Sequence, residues 1–326
     1  MRPLLALSLA SLVACATAPK PPPPPPPTPP EQVVAEPPPP EALPDFKPAD
    51  EAPPPRALLV LGLSRPVGRA VAEESRKKLT DYLSAQLGGE VQTRIFDSGD
   101  ALAAAIVSGE VEAAWLTPLA YVRAAEQTPI TPLVKLSRKG FTNYRSVIFA
   151  KKGTKAKKAA DLKKKKMAWV GKGSASGRLF PEALLRRLKL DPDKFFAKQV
   201  EAADHKEVCQ LVLDGKVDAG ATLSDEVREG EKSIPDGCRE AGFDPAKFVV
   251  LERTDPIPND VIAVRADVPQ VVADKVRQAL TDMSQLPDAP AEIEEIFQAD
   301  GFAPAADADF AVVREVEAMI KAQKKP

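Results

Sequence analysis

Two stretches of this chain carry one design. ALAAAIVSGEVEAAWLT (Ala101 to Thr117) and KEVCQLVLDGKVDAGATLS (Lys206 to Ser224) each run an apolar-faced helix into a glycine stop, Gly109 or Gly215. A short strand follows, opening Val-Glu-Ala or Val-Asp-Ala. Glycine just past a helical period ends the helix, and the brief apolar run behind it has strand length. One supersecondary unit therefore occurs twice, at an interval close to the size of an ordinary domain, which implies two α/β lobes of similar plan. The crevice between two such lobes is a preferred ligand site.

The surrounding sequence agrees. ALLVLGL (Ala57 to Leu63) reads as a buried strand, and AVAEESRKKLTDYLSAQLG as an amphipathic helix with Val71, Leu79, Tyr82, Leu83 and Leu87 near one face. Val91 to Asp97 alternates as a strand does, so strand, helix and strand form a parallel crossover. In the second unit Asp204 and Glu207 have capping-box spacing. Near the C-terminus, Val271, Val272, Val276 and Leu280, and then Val312, Val313, Val316 and Ile320, are spaced for the buried faces of two packing helices.

Residues 1–56 cannot join that fold. MRPLLALSLASLVACATAPK has Arg2 as a positive start, an apolar run from Leu4 to Leu9 and small residues leading to Cys15, the pattern of a secretory signal. It is too short to span a bilayer, which takes about 20 apolar residues. Leu12-Val13-Ala14-Cys15 resembles the lipobox of bacterial lipoproteins, which places a signal peptide at 1–14 and a lipid anchor on Cys15. Cleavage near Ala16 or Ala18 with an incidental cysteine is the other reading. From Ala16 to Arg56 proline dominates, with an unbroken run from Pro21 to Pro27. Fixed φ and missing donors make this an extended stalk, so 15–56 is expected to be a linker. The other cysteines, Cys209 and Cys238, form an even pair in an exported chain and are expected to be disulfide-bonded, against the reading of two buried thiols.

Charge excludes some functions. The net charge is −1 and the pI about 6.1, so no global basic field exists to bind nucleic acid. Gly153 to Trp169 is lysine-rich and reads first as a solvated edge helix and turn, second as a membrane-surface patch.

The stretch WVGKGSASGRLFPEALL (Trp169 to Leu185) carries the chemistry. It fails as a nucleotide triphosphate loop, because Gly173 is followed four residues later by Gly177 and then Arg178 in place of Gly-Lys-Ser. Gly171, Gly173 and Gly177 also miss the dinucleotide spacing. A strand, a flexible turn and Ser174-Ala175-Ser176-Gly177 entering a Leu-rich helix remain. One serine is explained by N-capping alone; the same geometry also converges amides, helix dipole and hydroxyls on an anion.

SGEVEAAWLTPLAYVRA, NYRSVIFAKKGTKAKKAADLKKKKMAWVGKGSASGRLFPEALL, DHKEVCQLVLDGKVDAGAT and DPIPNDVIAVR occur in an order that resembles the phosphonate/phosphite/phosphate-binding proteins of ABC importers, over most of Ala57 to about Phe302. The resemblance implies the α/β type 2 periplasmic binding protein fold, two lobes around a central cleft: 57–150 as lobe 1, 151–252 as lobe 2, and 253–326 returning to lobe 1 with the C-terminal helices. It implies that Ser174, Ala175 (through its backbone amide) and Ser176 hold the oxyanion from lobe 2, with Thr117 and Tyr121 at the family's first-lobe positions and Tyr121 reaching the ligand. His205, the only histidine, falls where the family has a ligand-contacting histidine, and Asp260 matches an acid that meets a ligand amine in phosphonate binders. As bland readings, His205 is a surface residue at a helix start and Asp260 a turn residue. Two departures stand out. The family's Asp-Tyr pair before the helix near Ala101 lacks its tyrosine here (SGDALAA), and Thr117 replaces a glycine. Loss of the aromatic weighs against an aminoalkyl phosphonate.

The resulting expectation is an extracytoplasmic, lipid-anchored solute-binding protein, monomeric, needing no cofactor or metal. It would capture a small phosphorus oxyanion, phosphonate, phosphite or phosphate, for an ABC permease. A lipid-anchored sensory receptor of the same fold is the alternative. With one histidine, no metal-ligand cluster and no Ser-His-Asp order, the sequence offers no case for an enzyme.

Overall fold

The computed structural model describes residues 57–64, 72–286 and 289–323. The signal, the stalk with Cys15, and Val71 lie outside the described residues. Two six-stranded sheets organise the rest. The first contains β1 (Leu59–Ser64), β2 (Val91–Phe96), β3 (Ala113–Leu116), β4 (Ile130–Ser137), β11 (Val261–Arg265) and β12 (Gly301–Pro304), in the order β12-β4-β11-β3-β1-β2. The second contains β5 (Asn143–Lys151), β6 (Lys166–Val170), β7 (Lys198–Ala202), β8 (Ala219–Asp225), β9 (Phe248–Arg253) and β10 (Ile257–Pro258). Its order is β10-β5-β8-β6-β7, with β9 also paired to β5.

The helices are α1 (Glu73–Leu87), α2 (Gly99–Ser108), α3 (Pro118–Ala125), α4 (Phe180–Arg187), α5 (Pro192–Phe195), α6 (His205–Leu213), α7 (Asp236–Glu240), α8 (Gln270–Met283), α9 (Ala289–Phe297) and α10 (Ala311–Gln323). Each sheet has an apolar cluster on both faces. Strand β1 is buried almost throughout because helices cover it on both sides, which is why LVLGL shows no alternation.

The repeated unit explains the architecture. In each copy a helix ends on a left-handed glycine, Gly109 at φ 82° or Gly215 at φ 69°, a conformation that costs a residue with a Cβ. The strand that follows takes the same place in both sheets. β3 has β1 as a parallel neighbour and β11 as an antiparallel one; β8 has β6 parallel and β5 antiparallel. β1, α1 and β2 form the parallel unit read from the sequence.

The chain passes from the first sheet to the second between β4 and β5, at 138–142, and returns between β10 and β11, at 259–260. The lobe boundaries expected at 150 and 252 fall at the end of β5 and within β9. Composition turns lysine-rich at Lys151, but that is where β5 ends, not where the chain changes sheets. Val271 also departs from expectation: it is 65% exposed in the first turn of α8, while Val272, Val276 and Leu280 are buried at helical spacing. Cys209 of α6 and Cys238 of α7 are joined by a disulfide. The lysine-rich stretch is a pair of turns around a short 3₁₀ segment, Ala159–Leu162, pinned by buried Ala156, Ala159 and Leu162.

Candidate functional site

The loop after β6 is built by close packing. Ser174 caps the helix, its Oγ accepting the Gly177 amide at 2.9 Å, and Leu179 N donates to Ser174 O at 3.0 Å, so the first turn, Ala175–Leu179, is a π-turn leading into α4. Such turns recur at functional sites. Gly177 is required by contact rather than by φ: a Cβ there would lie 2.3 Å from Val170 Cγ2 and 2.5 Å from Val170 Cβ. The helix start therefore lies directly on β6. Among the described residues the amides of Ala175 and Ser176 have no protein acceptor, as the first turn of a helix dictates. The Ser174 hydroxyl accepts from Gly177 and keeps its own proton to donate.

Arg178, which follows the glycine, points away from this end. Its guanidinium pairs with Glu182 at 2.9 Å and lies 5.1 Å from the centre of the Trp169 ring. The loop thus presents neutral donors. Lys172, exposed beside them, is the nearby cation in the sequence.

The loop is tied to β5. The Ser146 hydroxyl donates to the carbonyl of Ser176 and, at 3.2 Å, shares its proton with that of Thr222 on β8. Tyr144, two residues earlier and partly buried, meets the Ser176 hydroxyl. Burial pushes its phenol well above the ordinary value and the Asp260 carboxylate adds to that, while Arg138 and Ser176 pull the other way.

Asp260 sits in the return crossover, bonded to Arg138 of the outgoing one at 3.1 Å. The adjacent Asn259 is fully buried and donates through Nδ2 to the carbonyls of Leu136 and Phe141, both at 3.0 Å. The two crossovers are thereby stitched together beside the loop.

From the first sheet, Thr117 is the exposed N-cap of α3, its Oγ1 accepting the Ala120 amide at 3.3 Å. Ala120 and Ala175 pack on the same apolar cluster, which also contains Leu119, Tyr121, Leu179, Phe180, Phe310 and Val313. α3 and α4, one from each sheet's half of the chain, thus share an apolar cluster, and α10 packs on both helices. Tyr121 is fully buried in that cluster. Its hydroxyl donates to Asp307 at 2.7 Å, and its ring lies 4.6 Å from that of Phe310. Burial and then Asp307 raise its phenol, and Arg314 opposes them. This tyrosine is a link to the C-terminal segment in the present arrangement.

His205 opens α6, capped by Asp204, whose Oδ1 accepts the Glu207 amide at 2.8 Å. Its Nδ1 is 2.8 Å from Thr222 Oγ1, and burial lowers its pKa to about 4 against the pull of Asp204, so the ring is neutral at pH 7. It reaches the loop only through Thr222 and Ser146. Ser174, Ala175 and Ser176 share one helix start, Asp260 acts on it through Tyr144, and His205 connects to it through Thr222 and Ser146, while Thr117 caps α3, whose Ala120 packs on the same apolar cluster as Ala175.

Sequence reasoning passed over Arg138, Tyr144, Ser146, Thr222 and Asn259. A signal for two of them existed: Ser146 and Thr222 are polar residues inside apolar strand runs, and a hydroxyl there needs a partner.

These features define a chain of two α/β lobes with a helix start of neutral donors at the C-terminal end of β6. The chain belongs to the family described as ABC transporter, phosphonate, periplasmic substrate-binding protein, whose model matches residues 67–310. Members are substrate-binding components of importers, located outside the cytoplasm, and not enzymes. Solved structures share the fold. XAC2383 from Xanthomonas citri bound to ATP is 20% identical with a TM-score of 0.63, over 81% of this chain and 97% of that one. PhnD1 from Prochlorococcus marinus in complex with methylphosphonate is 18% identical with a TM-score of 0.60, over 81% and 99%. A binding protein component of an ABC phosphonate transporter from Pseudomonas aeruginosa is 16% identical with a TM-score of 0.60, over 80% and 86%.

Proposed function

We propose that this protein captures a small phosphorus oxyanion, phosphonate, phosphite or phosphate, between its lobes and presents it to an ABC permease. The observation that carries the reading is the Ser174–Gly177 helix start: two amides without acceptors among the described residues, the Ser174 hydroxyl, the Ser176 hydroxyl beside Tyr144, and an arginine paired with Glu182. Neutral donors at a positive dipole end match a compact anion and do not depend on a formal counter-charge. Thr117 supplies a hydroxyl from the opposite lobe. The methylphosphonate complex of the Prochlorococcus protein supports the same ligand class. The importer reading is preferred to a sensor because the matching family is one of transporter components.

Ligand binding favours the closed arrangement in proportion to its preference for that state, and the short crossovers at 138–142 and 259–260 are where the lobes turn. Asp260, neutralised by Arg138, is poorly placed to hold a ligand amine, which favours unsubstituted or alkyl oxyanions. Cys15 carries the lipid in this reading and tethers the monomer to the membrane; mass spectrometry of the N-terminal peptide from membranes tests that.

Isothermal titration with methylphosphonate, phosphite, phosphate, 2-aminoethylphosphonate, sulfate and ATP tests the ligand. A response to one of the small phosphorus anions, weakened at least about tenfold by Ser174→Ala with Ser176→Ala, is expected, since a hydrogen bond to a charged group contributes about 1.5–3 kcal/mol. Silence across the panel from folded protein refutes the assignment.

A further inference from the structure

Strands β6, β7 and β8 run parallel, so the ligand loop and His205 lie at their C-terminal ends. The other end of the same sheet has an opposite character. β6 and β7 start there with the paired residues Lys166 and Lys198, and antiparallel β5 finishes there with Lys151. Nine of the sixteen residues from 151 to 166 are lysine, with Asp161 the single acid. All nine are exposed, and among the described residues only Lys165 forms an ion pair, with Asp218 at 3.9 Å, while Asp161 and Asp214 lie within electrostatic reach of Lys158 and Lys151 and Lys151 Nζ donates to the Leu213 carbonyl at 2.6 Å. Asp161 is occupied locally, accepting the amides of Lys157 and Lys158. A shallow depression of roughly 600 Å³ opens in this pole, lined by Lys151, Lys152, Gly153, Leu213, Ala246 and Lys247. The pole is about 13 Å from the ligand loop along β6, from the strand rise per residue. It is therefore a surface separate from the candidate ligand site.

The composition of the pole identifies its partner. Protein interfaces are anchored by arginine and aromatic side chains and are depleted in lysine. The segment 151–166 contains no arginine and no aromatic residue. Lysine is a compact point charge on a flexible stem, suited to a diffuse field of phosphates rather than to fixed bidentate pairing. Such a cluster on a chain whose net charge is −1 is a local device and does not follow from overall basicity. We infer that this lysine pole docks the second lobe onto an anionic phospholipid surface, through a contact separate from the candidate ligand site.

Near a surface of anionic lipid each lysine raises affinity about fivefold. Co-sedimentation of the full chain carrying Cys15→Ser, which takes no lipid, with phosphatidylcholine vesicles, and with vesicles that also contain phosphatidylglycerol, reads this directly. The protein is expected to sediment with the anionic vesicles at low salt and to be released at high salt. Replacing Lys155, Lys157, Lys163 and Lys164 by glutamine, all exposed and outside ion pairs, is expected to weaken binding at least about a hundredfold. Thermal unfolding of that variant should match the parent. A second variant with Lys77, Lys189, Lys206 and Lys232 changed to glutamine removes the same charge elsewhere and is expected to bind as the parent does. Equal sedimentation with neutral vesicles, an unaffected pole variant, or equal losses in the two variants would each overturn the inference.

Discussion

Gly177→Ala tests whether the loop's position depends on direct contact with β6. The added Cβ would sit 2.3 Å from Val170 Cγ2, 2.5 Å from Val170 Cβ and 2.9 Å from Ser174 Oγ. Carbon atoms pack at about 3.5–4.0 Å, so the helix start must retreat by about 1 Å or the strand must yield. Val170 is held in β6, whose partner strands β7 and β8 flank it, so the loop is the part that moves. Moving it stretches the bond between the Ser146 hydroxyl and the Ser176 carbonyl and displaces the amides of Ala175 and Ser176. Overpacking of this kind costs about 1–3 kcal/mol. For a chain of this size a loss of 2 kcal/mol lowers Tm by about 4–8 °C. Oxyanion affinity should fall at least about tenfold, because a shift of about 1 Å breaks hydrogen-bond geometry at the same atoms. Thermal unfolding and calorimetric titration supply the two readouts. Val170→Ala alone should cost about 1 kcal/mol as a cavity. Combined with Gly177→Ala it should recover part of both losses, giving a coupling energy of about 1 kcal/mol or more. If Gly177→Ala leaves stability and affinity unchanged, or the two substitutions add, the packing argument is wrong.

Three further outcomes follow from the structure. Removing the cross-link between Cys209 and Cys238, which lie 29 residues apart, should cost about 3–4 kcal/mol by loop-closure entropy, measured by denaturant unfolding with and without reductant. Asn259→Ala leaves the Leu136 carbonyl without its side-chain donor and the Phe141 carbonyl with only the Arg138 amide, and should cost about 1–3 kcal/mol, while small-angle scattering should report a broader range of lobe angles. His205 has its pKa lowered to about 4 by burial, against an unfolded value near 6.5. Between those values the unfolded chain binds a proton that the native ring does not, so stability falls as pH drops from about 6.5 to about 4 and levels off below. The window is worth at most about 3 kcal/mol, and His205→Gln should flatten that part of the pH profile relative to the parent.

What was legible in the sequence was periodic or repeated. The paired units ending at Gly109 and Gly215 fixed the central strands of both sheets, because a helix, a left-handed glycine and a buried strand can be recognised without tertiary contacts. The loop from Trp169 to Leu185 was equally readable as a strand, cap and helix start. Its third glycine carries a different meaning once the packing is known: Gly177 permits contact with Val170, and the backbone approach it allows is to a strand. The crossovers left little trace, since they are short and their key residues, Arg138, Asn259 and Asp260, act by pairing across more than a hundred positions of sequence. The lobe boundary expected at 150 falls at the end of β5, one strand beyond the crossover at 138–142, because nothing in a short crossover of this kind distinguishes it locally from a turn within a sheet.

Tyr121 and Asp260 show how a residue matched by position can acquire a local partner. A family pattern specifies which side chain stands at a position, but the hydrogen-bond partner comes from whatever else the chain brings there. In this chain Asp307 and Arg314 reach Tyr121, and Arg138 reaches Asp260. Both groups are therefore partly satisfied before any ligand arrives, and a ligand that used them would have to compete with an existing bond. The amides of Ala175 and Ser176 face no such competition among the described residues. Binding energy should accordingly concentrate at the loop, so Tyr121→Phe is expected to change affinity by less than about threefold while the paired serine substitutions change it at least about tenfold. The reverse order in the same titration would move the centre of recognition to the first lobe.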